Sequence, residues 1–431
     1  MRSHQPEARP NNRLGGRIGL KAVPVSLVTL LSVALLQTFG SHAASAAGIL
    51  FFVTSLDDHD DGVCNADCTL REAIQAANSN PGDDDGIEFI VTGTINLTSA
   101  LPDITGGVEI TGPGADMLTV RRSSTGLFRV FNITTTGTVT FSSLTISGGR
   151  LQAGFGGGIQ NVNEGTVNVN DCLLIDNISL GGGGIDNRVG TVNVTNSMLK
   201  NNDAELGGGG INNRDAGTVN VTNSTLLSNR TVQSGGGGIQ NFGAVSIFNS
   251  LIINNSVISG NGGGGIFNAG GAVAITNSTI TFNRASNGAG IDNESGTVNV
   301  TNCTISRNIG ESGVGIANLG TANVESSIIA LNTLVFSAPQ PSEIFGSFTS
   351  AGFNLVGKAD GSPGFTQPTD LTGTIAAPLD PMLDPGLPGD NGGPTQTIAL
   401  LCGSPAVDKG TSTGLTGNLT TEVVPVFWTG G

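Results

Sequence analysis

The chain has 431 residues, with 18 basic and 33 acidic side chains and a net charge of −15. That balance argues against nucleic acid or an anionic lipid surface as partner. Sixty-seven glycines speak against a helical protein, and a single Trp with no Tyr leaves few rings for a lectin platform.

Residues 1–46 read as a secretory signal. Arg13, Arg17 and Lys21 precede the apolar run Val23 to Leu36, and Ala44-Ser45-Ala46 offers a small-residue cleavage site. The run is short for a bilayer span, so no membrane span is expected after cleavage. Cleavage would leave 13 basic and 32 acidic residues, a net charge of −19. The expectation is a secreted or cell-surface protein.

Residues 47–125 read as an N-terminal cap with the first, irregular coils. A strand from Phe51 leads into an acidic loop holding Asp57, Asp58, His59, Asp60 and Asp61. These carboxylates, with Asp83, Asp84 and Asp85 further on, suit calcium, although the spacing is not that of an EF-hand. A solvated loop with an exposed His59 is the simpler reading. Cys64 and Cys68 are close enough to pair in an oxidising compartment. Thr69 with Glu72 forms a capping box, and Leu70, Ala73, Ile74 and Ala77 mark one helical face. Asn80-Pro81-Gly82 stops that helix, which would cover the open edge of the first coil.

The regular part runs over 126–336, with Val139-Thr140-Phe141 opening it. A glycine cluster ending in Ile recurs at Ile159, Ile185, Ile211, Ile239, Ile266, Ile291 and Ile316, at intervals of 26, 26, 28, 27, 25 and 25 residues. A period of this size signals stacked units. Apolar residues alternate, as in Val219-Asn220-Val221, so each unit holds three short strands. The fold class is all-β, a parallel β-helix of 25–28 residues per coil.

Asparagines recur in three files. Asn161, Asn187, Asn213, Asn241, Asn268, Asn293 and Asn318 follow the Ile by two. Asn196, Asn223, Asn249, Asn277 and Asn302 follow the second strand. Asn177, Asn202, Asn229, Asn255, Asn283, Asn308 and Asn332 end the third run. An Asn at the same corner of every coil can pass its amide hydrogen bond along the stack. Cys172 and Cys303 occupy a position held elsewhere by Ser197, Ser224, Ser250, Ser278 and Ser327, and read as small buried residues too far apart to bridge. Beyond Leu334 the period is lost. Residues 337–431 read as last coils with longer loops and a Pro/Gly-rich cap. Twenty-two residues follow Lys409, without a sorting motif, and the closing segment reads as shortened.

Cys68-Thr69-Leu70-Arg71-Glu72-Ala73 closely resembles the CSLREA motif, with Thr for Ser. Gly93-Thr94-Ile95-Asn96-Leu97, Ala100-Leu101-Pro102 and Gly112-Pro113-Gly114-Ala115 resemble the same domain. Asp390 to Thr397 and Gly403 to Asp408 resemble the choice-of-anchor Q region. The resemblance implies a bacterial, exported, right-handed β-helix protein, commonly surface-associated. The Gly-Gly-x-Ile repeats also resemble those of polymorphic outer membrane proteins.

Parallel β-helices often carry polysaccharide lyases and hydrolases, so a convergent set of acids or cations in the repeats would point to catalysis. Asp186 and Asp292 share a register but lie four coils apart, ~19 Å, too far for a carboxylate pair. Elimination needs a cation beside a base. Arg188 and Arg214 on adjacent coils are the weak catalytic candidates, and Arg230 and Arg284 share another corner. The expectation is a non-catalytic secreted or surface protein with an adhesive or envelope-structural role. Its partner would be polysaccharide or a host or neighbouring cell surface, and no cofactor is needed unless calcium binds. The alternatives are a lyase or hydrolase, and a calcium-stabilised carbohydrate-binding module.

Overall fold

The computed structural model describes residues 48–80, 85–335 and 343–411. The signal reading on 1–46, and Asp83 and Asp84, lie outside them. Each coil begins where a glycine cluster ends. Ile185–Asn187 pairs in parallel with Ile159–Asn161 on one side and with Ile211–Asn213 on the other. The same register carries on through Ile239, Ile266, Ile291 and Ile316 to Ile344. Thr191–Thr195 sits likewise between Thr166–Asn170 and Thr218–Thr222, and Met198–Lys200 between Leu173–Ile175 and Thr225–Leu227. The result is a parallel β-helix of about 10 turns, in which crossovers between parallel strands take the right-handed course.

Alternation along each strand supplies the core. In one coil Ile185, Val192, Val194 and Leu199 are all fully buried. Each such side chain contributes about 1.5–3 kcal/mol when removed from water. Every coil therefore repeats the same apolar layer, and stacking joins the layers into one core.

Each central coil holds a fourth strand that the three-strand reading misses. Ile178–Ser179, Asp203–Ala204, Arg230–Thr231 and Ser256–Val257 form a separate four-stranded sheet. Two residues are too few to reveal a period. This strand presses against the glycine cluster. A Cβ on Gly209 would stand 2.5 Å from the Gly237 carbonyl oxygen and 2.6 Å from backbone atoms of Arg230. Glycine is needed there because two neighbouring backbones already fill the space.

Two of the three asparagine files are buried ladders. In the first, Asn161 donates its amide to Asn187, Asn187 to Asn213, and so on to Asn318, at 2.6–3.0 Å. In the other, each Asn donates both its backbone N–H and its side-chain Nδ2 to the Oδ1 of the next, as Asn202 does to Asn229 at 3.1 and 2.9 Å. The remaining Nδ2 hydrogen reaches a carbonyl of the preceding coil, Leu174 in the case of Asn202. These groups are buried and, apart from the Oδ1 of Asn161 at the start of its ladder, hydrogen-bonded, as burial of polar atoms requires.

The file of Asn196, Asn223, Asn249, Asn277 and Asn302 is a ladder too, but a more exposed one that stops short of Asn302. These residues have φ of 50–54°, the left-handed region that Asn tolerates better than most side chains. Asn223 is half-buried and donates backward to Asn196 at 3.2 Å, Asn249 to Asn223 at 3.3 Å and Asn277 to Asn249 at 2.5 Å. The side-chain amide of Asn302 has no hydrogen-bond partner. Left-handed backbone and amide stacking both favour Asn at this corner. A serine file runs beside it: Ser197 accepts from the Cys172 backbone, Ser224 from Ser197, and Ser250 from Ser224, at 3.0–3.2 Å. Burial pushes the Cys172 thiol up to about 11 and the Cys303 thiol to about 12.

Helix α1 (Leu70–Ser79) covers the N-terminal end with Leu70, Ala73, Ile74 and Ala77 buried, and the Thr69–Glu72 capping box is formed in both directions. At the other end the stack closes with Leu355–Val356 and Leu371–Thr372. The segment beyond is not an end cap alone, as the sequence suggests. It folds back along one side. Leu383, Ile398 and Ala406 bury the outward residues Ile328, Ala330 and Leu355, and the Thr395 hydroxyl donates to the Asn249 carbonyl, 146 residues earlier, at 3.0 Å. Among the described residues no helix is long and apolar enough to cross a membrane.

Candidate functional site

The residue between Ile and Asn in the first strand of each coil faces outward. Asn132, Gln160, Asp186, Asn212, Gln240, Phe267, Asp292, Ala317 and Phe345 therefore form one continuous outer file, each in register with the next. The file has two chemically distinct parts.

The first part is closed. Asp186 is fully buried and takes a two-pronged bond from Arg214, at 2.9 Å from Nε and 2.8 Å from Nη2. Asn212 adds a bond at 2.8 Å and Gln160 one at 3.3 Å. The Arg214 guanidinium lies 4.0 Å over the Phe155 ring, which favours a cation. Burial raises the Asp186 carboxyl above its ordinary value, and the Arg214 fork and the two amides pull against it. The arrangement is a structural clamp between coils.

Arg188 and Arg214, the weak catalytic candidates on adjacent coils, do not converge on one group. Their backbones are in register, but their side chains serve different acids. Arg214 is committed to Asp186, while the exposed Arg188 reaches Asp215 at 3.4 Å. Arg230 is likewise bound to Asp203, at 2.5 Å. Arg284 shares its corner, one Ser256 apart, and is exposed.

The second part is open. A groove of about 290 Å³ is lined by Phe267, Asp292, Glu294, Ser312, Ala317 and Phe345, among others. Asp292 is 7% exposed, yet among the described residues no donor reaches its carboxylate. Burial, with the nearby Glu294 charge, pushes it up to about 6. Phe267 precedes Asp292 by one coil and Phe345 follows it by two. In the sequence Phe267 is simply one of the residues that occupy this register on the coils between Asp186 and Asp292. The signal that could have found the groove is the outward position after each Ile, followed past the regular period to Ile344-Phe345.

The acidic loop is engaged elsewhere. Asp58 takes two bonds from Arg71, at 3.1 and 2.7 Å, and two from Thr98. Asp60 accepts from Gln75 and from the Gly62 backbone, Asp61 from the Val63 backbone. Asp57 is exposed and Asp85 is bound by Ile49 and Asn80. Among the described residues no three acid, His or Cys side chains converge on one point. Cys64 and Cys68 form a disulfide. His59 sits 3.6 Å from Asp67 and 3.8 Å from Glu72.

Fold and file together define a parallel β-helix whose side walls, among the described residues, present side chains with the strand backbones paired to adjacent coils. No family model matches the chain, and no curated protein matches it. A solved structure similar to it, "Geobacillus virus E2 - ORF18", shares 13% identity and covers 78% of this chain, with a TM-score of 0.29. The chain spans 63% of that protein's length.

Proposed function

We propose that this is an exported, non-catalytic β-helix protein that uses its long side walls for adhesion or envelope structure. The observation that carries the reading is the fate of the cations. Arg188, Arg214 and Arg230 each face a carboxylate from a neighbouring coil, so none stands ready to stabilise an acidic sugar during elimination. The Cys64–Cys68 disulfide suits an oxidising compartment. The resemblance of Cys68 to Ala73 to the CSLREA motif supports export, with polysaccharide or a cell surface as partner.

A hydrolase is the second reading, favoured by one observation. Asp292, with a raised proton affinity, and Glu294 share one groove, and glycoside hydrolysis uses an acid of that kind beside a second carboxylate. The test is incubation with acidic and neutral polysaccharides, with and without calcium, followed by mass spectrometry of released products. Absence of product, together with recovery of the protein in the cell-surface or secreted fraction, is expected. Cleavage of any polymer overturns the non-catalytic reading.

A further inference from the structure

The groove around Asp292 has the makings of a ligand site independent of the clamp at Asp186. The side chain of Asp292 is nine-tenths buried and takes no hydrogen bond among the described residues, yet its oxygens are not sealed off, so they open to the groove and are available to a donor there. Its position in the groove wall directs it toward whatever lies there. Phe267 and the half-exposed Phe345 stand on either side of it in the outer file, three coil steps apart. At one strand spacing per coil that is about 14 Å. Asn261, Asn287 and Ser312 add amide and hydroxyl groups that can both donate and accept.

We propose that this groove binds a short stretch of neutral saccharide, with Asp292 accepting sugar hydroxyls and Phe267 and Phe345 stacking on sugar faces. The proposal rests on the non-catalytic polysaccharide-binding reading and deepens it. Three features favour a sugar. Hydroxyl-to-carboxylate bonds are short and strong, and would satisfy Asp292. Two separated rings with an acceptor between them match a chain that alternates apolar faces and hydroxyl edges. At this groove the strand backbone is already paired on both sides, as Ile291–Asn293 is to Ile266–Asn268 and Ile316–Asn318. An extended peptide would therefore lose the backbone pairing on which strand addition depends. Asp292 and Glu294 together disfavour uronate-rich chains by charge.

The test is a glycan array carrying neutral, amino-sugar and uronate-containing glycans, probed with the purified full chain. Calorimetric titration of the best neutral hit follows, with pentalysine as a peptide control. Binding of at least one neutral glycan is expected. Phe267→Ala, Phe345→Ala and Asp292→Asn should each weaken it by tenfold or more. Asp203→Asn, on a different face, should leave it unchanged. Because Phe345 is exposed, its variant tests the site even if Asp292→Asn perturbs folding. Three results overturn the proposal: no neutral glycan bound, binding indifferent to Phe267 and Phe345, or pentalysine bound more tightly than every glycan. Mass spectrometry of the same samples keeps the two readings apart. Product release would sink the non-catalytic reading, whereas absent binding would sink the groove.

Discussion

Asn332 donates both its backbone N–H and its side-chain amide to one oxygen of Glu343, at 3.1 and 3.0 Å. Every Asn below it in the ladder donates the same pair to another Asn. An amide ladder that runs one way ends with two donors in need of an acceptor, and the last coil supplies a carboxylate. Burial raises the Glu343 carboxyl above its ordinary value, and the two Asn332 bonds pull against it. A raised acid holds its proton longer when folded than when unfolded, so its contribution to stability falls as pH rises through its folded pKa. Glu343→Gln keeps an acceptor oxygen and should flatten that slope. Glu343→Ala should lower stability by roughly 1–3 kcal/mol at every pH by orphaning both donors. Urea midpoints at several pH values separate the two outcomes.

The ladder and the left-handed corner make opposite demands on Asn. Asn229→Ala strips acceptors from the Asn202 backbone and side chain and a donor from the Leu199 carbonyl. A loss of roughly 1–3 kcal/mol is expected. Asn223→Gly keeps the positive φ that position needs and should be nearly neutral. Equal destabilisation by the two variants, read from thermal or urea unfolding, would contradict this division.

Glu72 works in the reverse sense to Glu343. Burial opposes its charge, but backbone N–H groups of Asp61 and Thr69 and the Thr69 hydroxyl outweigh that and hold it below its ordinary value. A lowered acid contributes stability that is present above the unfolded pKa and lost as pH falls through the folded one. Acid unfolding should therefore begin at the helical cap. Glu72→Gln should weaken that dependence and speed hydrogen exchange in Leu70–Ser79 at neutral pH.

Asp292 contributes a third pH signature. It titrates at about 6 when folded, against an ordinary value near 4. Both states are protonated below about 4, and stability then falls between about 4 and 6 as the unfolded chain releases its proton first. Asp292→Asn should remove this loss and stabilise the protein at pH 8 by on the order of 2 kcal/mol. An unchanged midpoint at pH 8 would mean that the buried carboxylate is already satisfied.

Much of the architecture was legible because it repeats. The Ile spacing, the Val-x-Val alternation and the Thr69–Glu72 box each state a local rule, and seven copies of the first two leave little freedom of register. The two-residue fourth strand escaped because it has no period. At the Asn223 corner the amide ladder was legible but its left-handed backbone was not, because both select the same residue type. Arg188 and Arg214 looked equivalent because backbone register was visible and side-chain direction was not.

The sequence by itself determined the coil, its core and its polar ladders, since those depend on contacts between like residues at a constant offset. The tertiary structure decided which outward side chains are spent and which are free. Arg214 is spent on Asp186, because neighbouring coils bring a guanidinium and a carboxylate within bonding distance across 28 residues. Asp292 is left without a donor, because Phe267 and Ala317 are what the adjacent coils place beside it.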